Sequence, residues 1–120
     1  MQVNLHNSSG NQFTSYGSDS VTINQIEYRN NILVSPTQIT PLPISSIAEL
    51  DDNYLTTLLE HHPDLIIFGS GQSIIHPQRE LLLRLSQLQI GFEVMGIPAL
   101  CRTFNYLIGE GRNVLAVLIF

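Results

Sequence analysis

The chain is expected to fold as one α/β domain over residues 1–120, with a mostly parallel or mixed sheet and helices packed on it. Three observations predict this. Its 120 residues are 43% hydrophobic and only 12% charged, the balance of a chain that buries a core. Residues 1–45 are rich in Asn, Ser, Thr and Gln and alternate in period two, as half-exposed strands do. Beyond residue 45, continuous apolar runs alternate with stripes at helical spacing, in the order β-α-β-α-β.

Each element has its own signal. Phe13-Thr14-Ser15-Tyr16 reads as a strand ended by Gly17-Ser18-Asp19. Val21-Thr22-Ile23 and Ile26-Glu27-Tyr28 alternate, Asn30-Asn31 marks a turn, and Ile32-Leu33-Val34 is a further short strand. Pro36, Pro41 and Pro43 mark edges or strand ends, because proline lacks a ladder donor. Hairpins alone are marginal in water, so this half must pack on the next. Ser46 with Glu49 fits a capping box, and Asp51 is a second cap. Tyr54, Leu55, Leu58 and Leu59 form a helical stripe that stops near His61-His62, before Pro63. Asp64 to Phe68 suits a strand buried on both faces, closed by a turn at Gly69-Ser70-Gly71. Pro77 is placed to open a helix whose buried stripe is Leu81, Leu82, Leu85 and Leu88, with Glu80 and Arg84 as an i,i+4 pair. Gly91 to Met95 is the next strand. Pro98 opens a helix lined by Leu100, Phe104, Leu107 and Ile108, and Gly109 and Gly111 stop it. Asn113 to Phe120 is a last, apolar strand.

Composition narrows the function. All five basic residues are arginines, scattered and outnumbered by ten acids, with a net charge of −5. A nucleic-acid footprint needs clustered cations, so no nucleic-acid partner is expected. Cys101 is the single cysteine, which suits a reducing compartment. The polar stretch Met1 to Ser9 lacks the basic and apolar regions of a signal peptide. No run reaches the roughly 18 apolar residues of a membrane span. These features point to a cytoplasmic protein.

Few residues invite chemistry. Gly69-Ser70-Gly71 follows a strand, where open α/β sheets place ligands, but no phosphate-binding fingerprint follows it. His61, His62 and His76 lack the converging ligands of a zinc site, and no cofactor is implied. Cys101 falls in the first turn of its helix, where the dipole and Arg102 would stabilise a thiolate. Phe104, three residues on, puts it on an apolar face, where free Cys acts as a small hydrophobe. For a base, the reactive alternative would need His76 or Glu93. Arg102 and Asn105 share a more polar side that could hold a carboxylate or phosphate; Arg102 could equally bond a loop carbonyl, Glu93 or Glu110.

Two blocks carry a resemblance. His62-Pro63-Asp64-Leu65-Ile66-Ile67-Phe68-Gly69-Ser70-Gly71 is one. Gly91-Phe92-Glu93-Val94-Met95 through Cys101-Arg102-Thr103-Phe104-Asn105 to Glu110-Gly111-Arg112 is the other. In this order and spacing they resemble the Mth938-like domain family of uncharacterised small proteins, over about residues 20–119. Its relatives include the mitochondrial respiratory complex I assembly factor 3 and the adipogenesis-associated Mth-like domain protein. Ser70 stands where the family has Thr, Gly96-Ile97 where it has Asp-Thr, Leu100 where it has Ala, and Phe104 where it has Tyr. Gly96 therefore offers no carboxylate cap to the helix after it. The resemblance implies a three-layer α/β fold, a central mixed sheet with helices and an extra N-terminal β-hairpin layer. It supplies no catalytic residues.

Three functions follow as expectations. The first is a non-enzymatic interaction or assembly factor with a protein partner, presenting an apolar or Arg-centred patch near Arg102 and Arg112. The second is a small-molecule or anion-binding protein, or minor enzyme, around Gly69, Ser70, Gly71, Glu93, Cys101, Arg102 and Asn105. The third is a homodimer paired through Val114 to Phe120, if that strand lies at an edge rather than, as its composition favours, in the centre.

Overall fold

The computed structural model describes residues 10–17, 19–71 and 73–120. Met1–Ser9, on which the signal-peptide expectation rests, and Ser18 of the first turn lie outside the described residues.

The polar first half forms β1 (Phe13–Tyr16), β2 (Val21–Ile23) and β3 (Ile26–Tyr28), an antiparallel sheet in that order. Asn24 and Gln25 close the β2–β3 hairpin at φ of 51° and 75°. That is the primed geometry whose twist matches right-handed strands. A register shift between Phe13 and Ser15 bends β1.

The second sheet joins β4 (Ile32–Val34), β5 (Ile39–Pro41), β6 (Leu65–Ser70), β7 (Gly91–Gly96) and β8 (Val114–Ile119) in the order β5-β4-β8-β6-β7. β8, β6 and β7 are parallel neighbours, whereas β4 runs antiparallel to both β8 and β5. The sheet is thus mixed, as expected. The apolar runs of β6 and β8 lie in its interior because both their faces are covered. β8 sits between β4 and β6, so the terminal strand offers no free edge for a dimer. β5 has no sequence signal of its own. It is three residues long and ends at Pro41.

Among the described residues, three α-helices complete the layers: α1 (Leu55–Leu59), α2 (Arg79–Gln87) and α3 (Ile97–Gly109). On one face, Leu58 of α1, Leu81 and Leu85 of α2, and Ile47 pack on Ile66, Phe68, Leu115 and Val117. On the other, Ile97, Leu100, Cys101 and Phe104 of α3 join Phe13, Val21 and Ile23 of the small sheet over Ile67, Ala116 and Leu118. Phe13 meets Phe104 edge to face, with centroids 5.2 Å apart.

Several local expectations are corrected. The Ser46 and Asp51 caps form, but on short 3₁₀ turns, Ile47–Glu49 and Asp52–Tyr54. The Glu49 carboxylate turns to the Ser45 N–H and hydroxyl, at 3.1 and 2.6 Å. Pro77 does not open α2. Gln78 is extended and tied to the 3₁₀ turn by its N–H on the Leu50 carbonyl and its Nε2 on Ala48 O, so the helix begins at Arg79. Arg84 reaches Asp52 at 3.9 Å, a partner from another element. Leu88 is exposed because the helix ends before it. Gly69 and Ser70 continue β6 instead of turning, since β7 and β8 flank them in register.

α2 and α3 stop in the same way. Ile90 and Gln89 donate to the Leu85 and Ser86 carbonyls, and Arg112 and Gly111 to those of Leu107 and Ile108. Both are Schellman closures, which need a left-handed residue. Gly111 supplies it at φ 78°, Gln89 at φ 61°.

Candidate functional site

The carboxyl end of β6 sends consecutive side chains to opposite faces. Gly69 faces α3, where a Cβ would fall 2.6 Å from Leu100 Cδ1. Its glycine serves close packing of the helix. Ser70 faces the other way and is 5% exposed. Its hydroxyl donates to the Ser73 carbonyl and accepts from the Ile75 N–H at 3.3 Å, tying down the following loop. A cavity of about 140 Å³ opens here, lined in part by Ser45, Ser46, Ser70, Gly71, Ser73 and Phe120. The hydroxyls of Ser45, Ser46 and Ser70 are engaged locally. Ser45 donates to Glu49, and Ser46 accepts from the Ala48 N–H at 3.2 Å. The Ser45 hydroxyl, followed by its backbone N–H, holds the Glu49 carboxyl below the usual range.

α3 carries the second group of candidates. Gly96 precedes it without a side-chain cap. Cys101 points into the core at 1% exposure. Burial pushes its thiol up to about 12, against a smaller opposing pull from Arg102. Such a group stays a neutral thiol at physiological pH, so the apolar-face reading of Cys101 describes it. Asn105 clasps β1: its Oδ1 accepts from the Phe13 N–H at 2.9 Å and its Nδ2 donates to the Phe13 carbonyl at 2.8 Å.

Arg102 lies on the exposed side of the helix. Its Nη1 donates to the Tyr16 hydroxyl at 3.1 Å, a bond across 86 residues of sequence. None of the carbonyl, Glu93 or Glu110 partners weighed from the sequence is used among the described residues. Arg29, Arg84 and Arg112 each lie within 4.0 Å of a carboxylate. Among the described residues Arg102 has no such neighbour, nor has Arg79 on α2. One turn beyond Arg102 on the same face, Tyr106 is 66% exposed. Tyr16 itself is 41% exposed.

The candidates do not converge on one site. Ser70 opens on the α2 face, and Arg102 and Asn105 meet β1 beyond α3. Glu93 is exposed in the middle of β7. Arg112, beyond the end of α3, sits 3.8 Å from Asp64, just before β6 and so at the other end of the sheet from Ser70. A groove of about 320 Å³ beside the β4–β5 turn includes Glu60, His61, His62 and Asn113. Among the described residues no three ligating side chains gather for a metal, and no helix is long and apolar enough to cross a membrane. Sequence reasoning missed Tyr16 and Tyr106. The i,i+4 spacing from Arg102 to Tyr106 was readable; the approach of Tyr16 was not.

The layered arrangement is that of a Mth938-like domain. A solved structure of a Bordetella pertussis protein described as such superposes with a TM-score of 0.80 at 20% identity, over 99% of this chain and 90% of that one. Residues 13–119 match the family of proteins of unknown function DUF498/DUF598, and the chain belongs to it. Among named relatives, the 13 kDa major membrane protein of Francisella tularensis is 26% identical over 109 residues, 89% of each chain. Assembly factor 3 of the human NADH dehydrogenase [ubiquinone] 1 alpha subcomplex is 30% identical over 107 residues, 88% of this chain. This chain spans 58% of that relative's length.

Proposed function

We propose that the chain is a non-enzymatic protein-interaction domain of the assembly-factor kind, and that it meets its partner through the outward face of α3. The observation that carries this reading is the Arg102–Tyr16 bond. It fixes an exposed guanidinium in place while leaving most of its donors to a partner. Holding the side chain beforehand lowers the ordering cost of binding. Tyr106 and Tyr16 flank it, and Tyr and Arg are the residue types that dominate binding energy at interfaces. The likeness to a named assembly factor supports the partner class, a subunit of a larger complex. The single cysteine and acidic composition support a cytoplasmic setting.

Affinity capture from the source cells tests this with the wild type, Arg102→Ala, and Arg79→Ala as a control on α2. One stoichiometric protein should be recovered with wild type and Arg79→Ala, and about tenfold less with Arg102→Ala at an unchanged melting midpoint. Equal recovery with Arg102→Ala contradicts the location. No stoichiometric protein with the wild type contradicts the interaction reading.

A further inference from the structure

The described residues present four sheet edges, and three are blunted. β1 is bent by its register shift and clasped at Phe13 by Asn105. β3 is three residues long, and its Glu27 and the adjoining Arg29 and Asp19 form an exposed ion cluster. β5 is three residues long and ends in Pro41, which has no N–H. Such devices keep other chains from adding to an edge. Among the described residues β7 has no register shift, clasp, proline or ion cluster, and carries one exposed charge. It runs six residues and pairs with β6 in unbroken register from Gly91 to Gly96. Its outer rim of backbone groups is free among the described residues. Phe92 and Val94 extend the apolar surface under α2, and Met95 that under α3. Glu93 is the one charge on the strand, exposed and without an ion-pair partner among the described residues.

We infer that β7 is a strand-addition site for an extended segment of another protein, with a Lys or Arg set against Glu93 between two apolar residues. Backbone pairing would give affinity and the alternating side chains specificity. Charge selects the occupant. A second copy paired about Glu93 would oppose two carboxylates, which is destabilising, and each copy carries a net charge of −5. A cationic strand meets neither obstacle. This surface is separate from the Arg102 face, and the inference stands without it.

The probe is the peptide acetyl-Thr-Val-Lys-Val-Thr-amide, titrated at millimolar concentration into the ¹⁵N-labelled full chain. The largest shifts and the greatest slowing of hydrogen exchange are expected at the β7 amides. Replacing the peptide's Lys by Glu should weaken binding at least about threefold. Glu93→Gln should remove that difference, and Arg102→Ala should leave it intact. Shifts absent or centred elsewhere overturn the inference, as does equal binding of the two peptides. Sedimentation that finds a dimer with β7 amides protected overturns it in favour of a second copy.

Discussion

Gly69 and Leu100 are pressed together where α3 crosses β6: a Cβ on Gly69 would stand 2.6 Å from Leu100 Cδ1 and 3.5 Å from Leu100 Cβ. Leu100 is fully buried, so it has little room to swing aside. Gly69→Ala should cost about 1–3 kcal/mol by overpacking. A melting midpoint lowered by roughly 3–6 °C per kcal/mol would register it. Leu100→Ala alone leaves a cavity and costs about 2–5 kcal/mol. The double variant should lose clearly less than the sum, because the new methyl fills the space that Leu100 vacates. Additive losses would mean that the two residues do not share this space.

The Asn105 clasp predicts a loss confined to one strand. Asn105→Ala leaves the Phe13 N–H and carbonyl without partners, at a cost of about 1–3 kcal/mol. Hydrogen exchange at the Phe13 amide should accelerate more than at β6 or β8. Asn105→Asp should not rescue it, because a carboxylate oxygen would then face the Phe13 carbonyl.

Cys101 sets an alkaline limit. The folded thiol keeps its proton to about 12, whereas an unperturbed thiol releases it near 9.0. The folded state therefore binds the extra proton between these values, and stability falls as pH rises through that window. Below pH 9.0 the contribution is complete. Urea unfolding at pH 8, 9 and 10 should show a steeper alkaline decline in the wild type than in Cys101→Ala. Alkylation by iodoacetamide should proceed only through unfolding, in proportion to the unfolded population when refolding outpaces the reaction.

Gln89 holds a left-handed conformation that glycine adopts freely. Gln89→Gly should therefore raise stability by about 0.5–1 kcal/mol, seen as a higher urea midpoint at unchanged slope. A lower midpoint would mean that chain entropy outweighs the relief of strain.

Most of the architecture was legible because its signals are local. The unbroken apolar runs of β6 and β8 announced buried strands, and the stripe from Leu100 to Ile108 announced the inner face of α3. Phe104, three residues from Cys101, announced its burial. What escaped depends on contacts between distant segments. The Asn105 clasp on Phe13 spans 92 residues, and Arg84 prefers Asp52 to the nearer Glu80. Gly69-Ser70-Gly71 resembled a turn because glycine marks both turns and close approaches, and only the presence of Leu100 tells them apart. The three-residue β5 was too short for a period-two pattern to show.

Site-specific photo-cross-linking in the source cells reads the outward face of α3 without purification. A benzophenone side chain would replace Tyr106 on the exposed face of α3 in one strain and Leu83, exposed on α2 across the sheet, in another. One discrete heteromeric adduct is expected from position 106, lost with Arg102→Ala, and none from position 83. The same adduct from position 83 alone, or one at position 106 that survives Arg102→Ala undiminished, would contradict an interaction surface at Arg102.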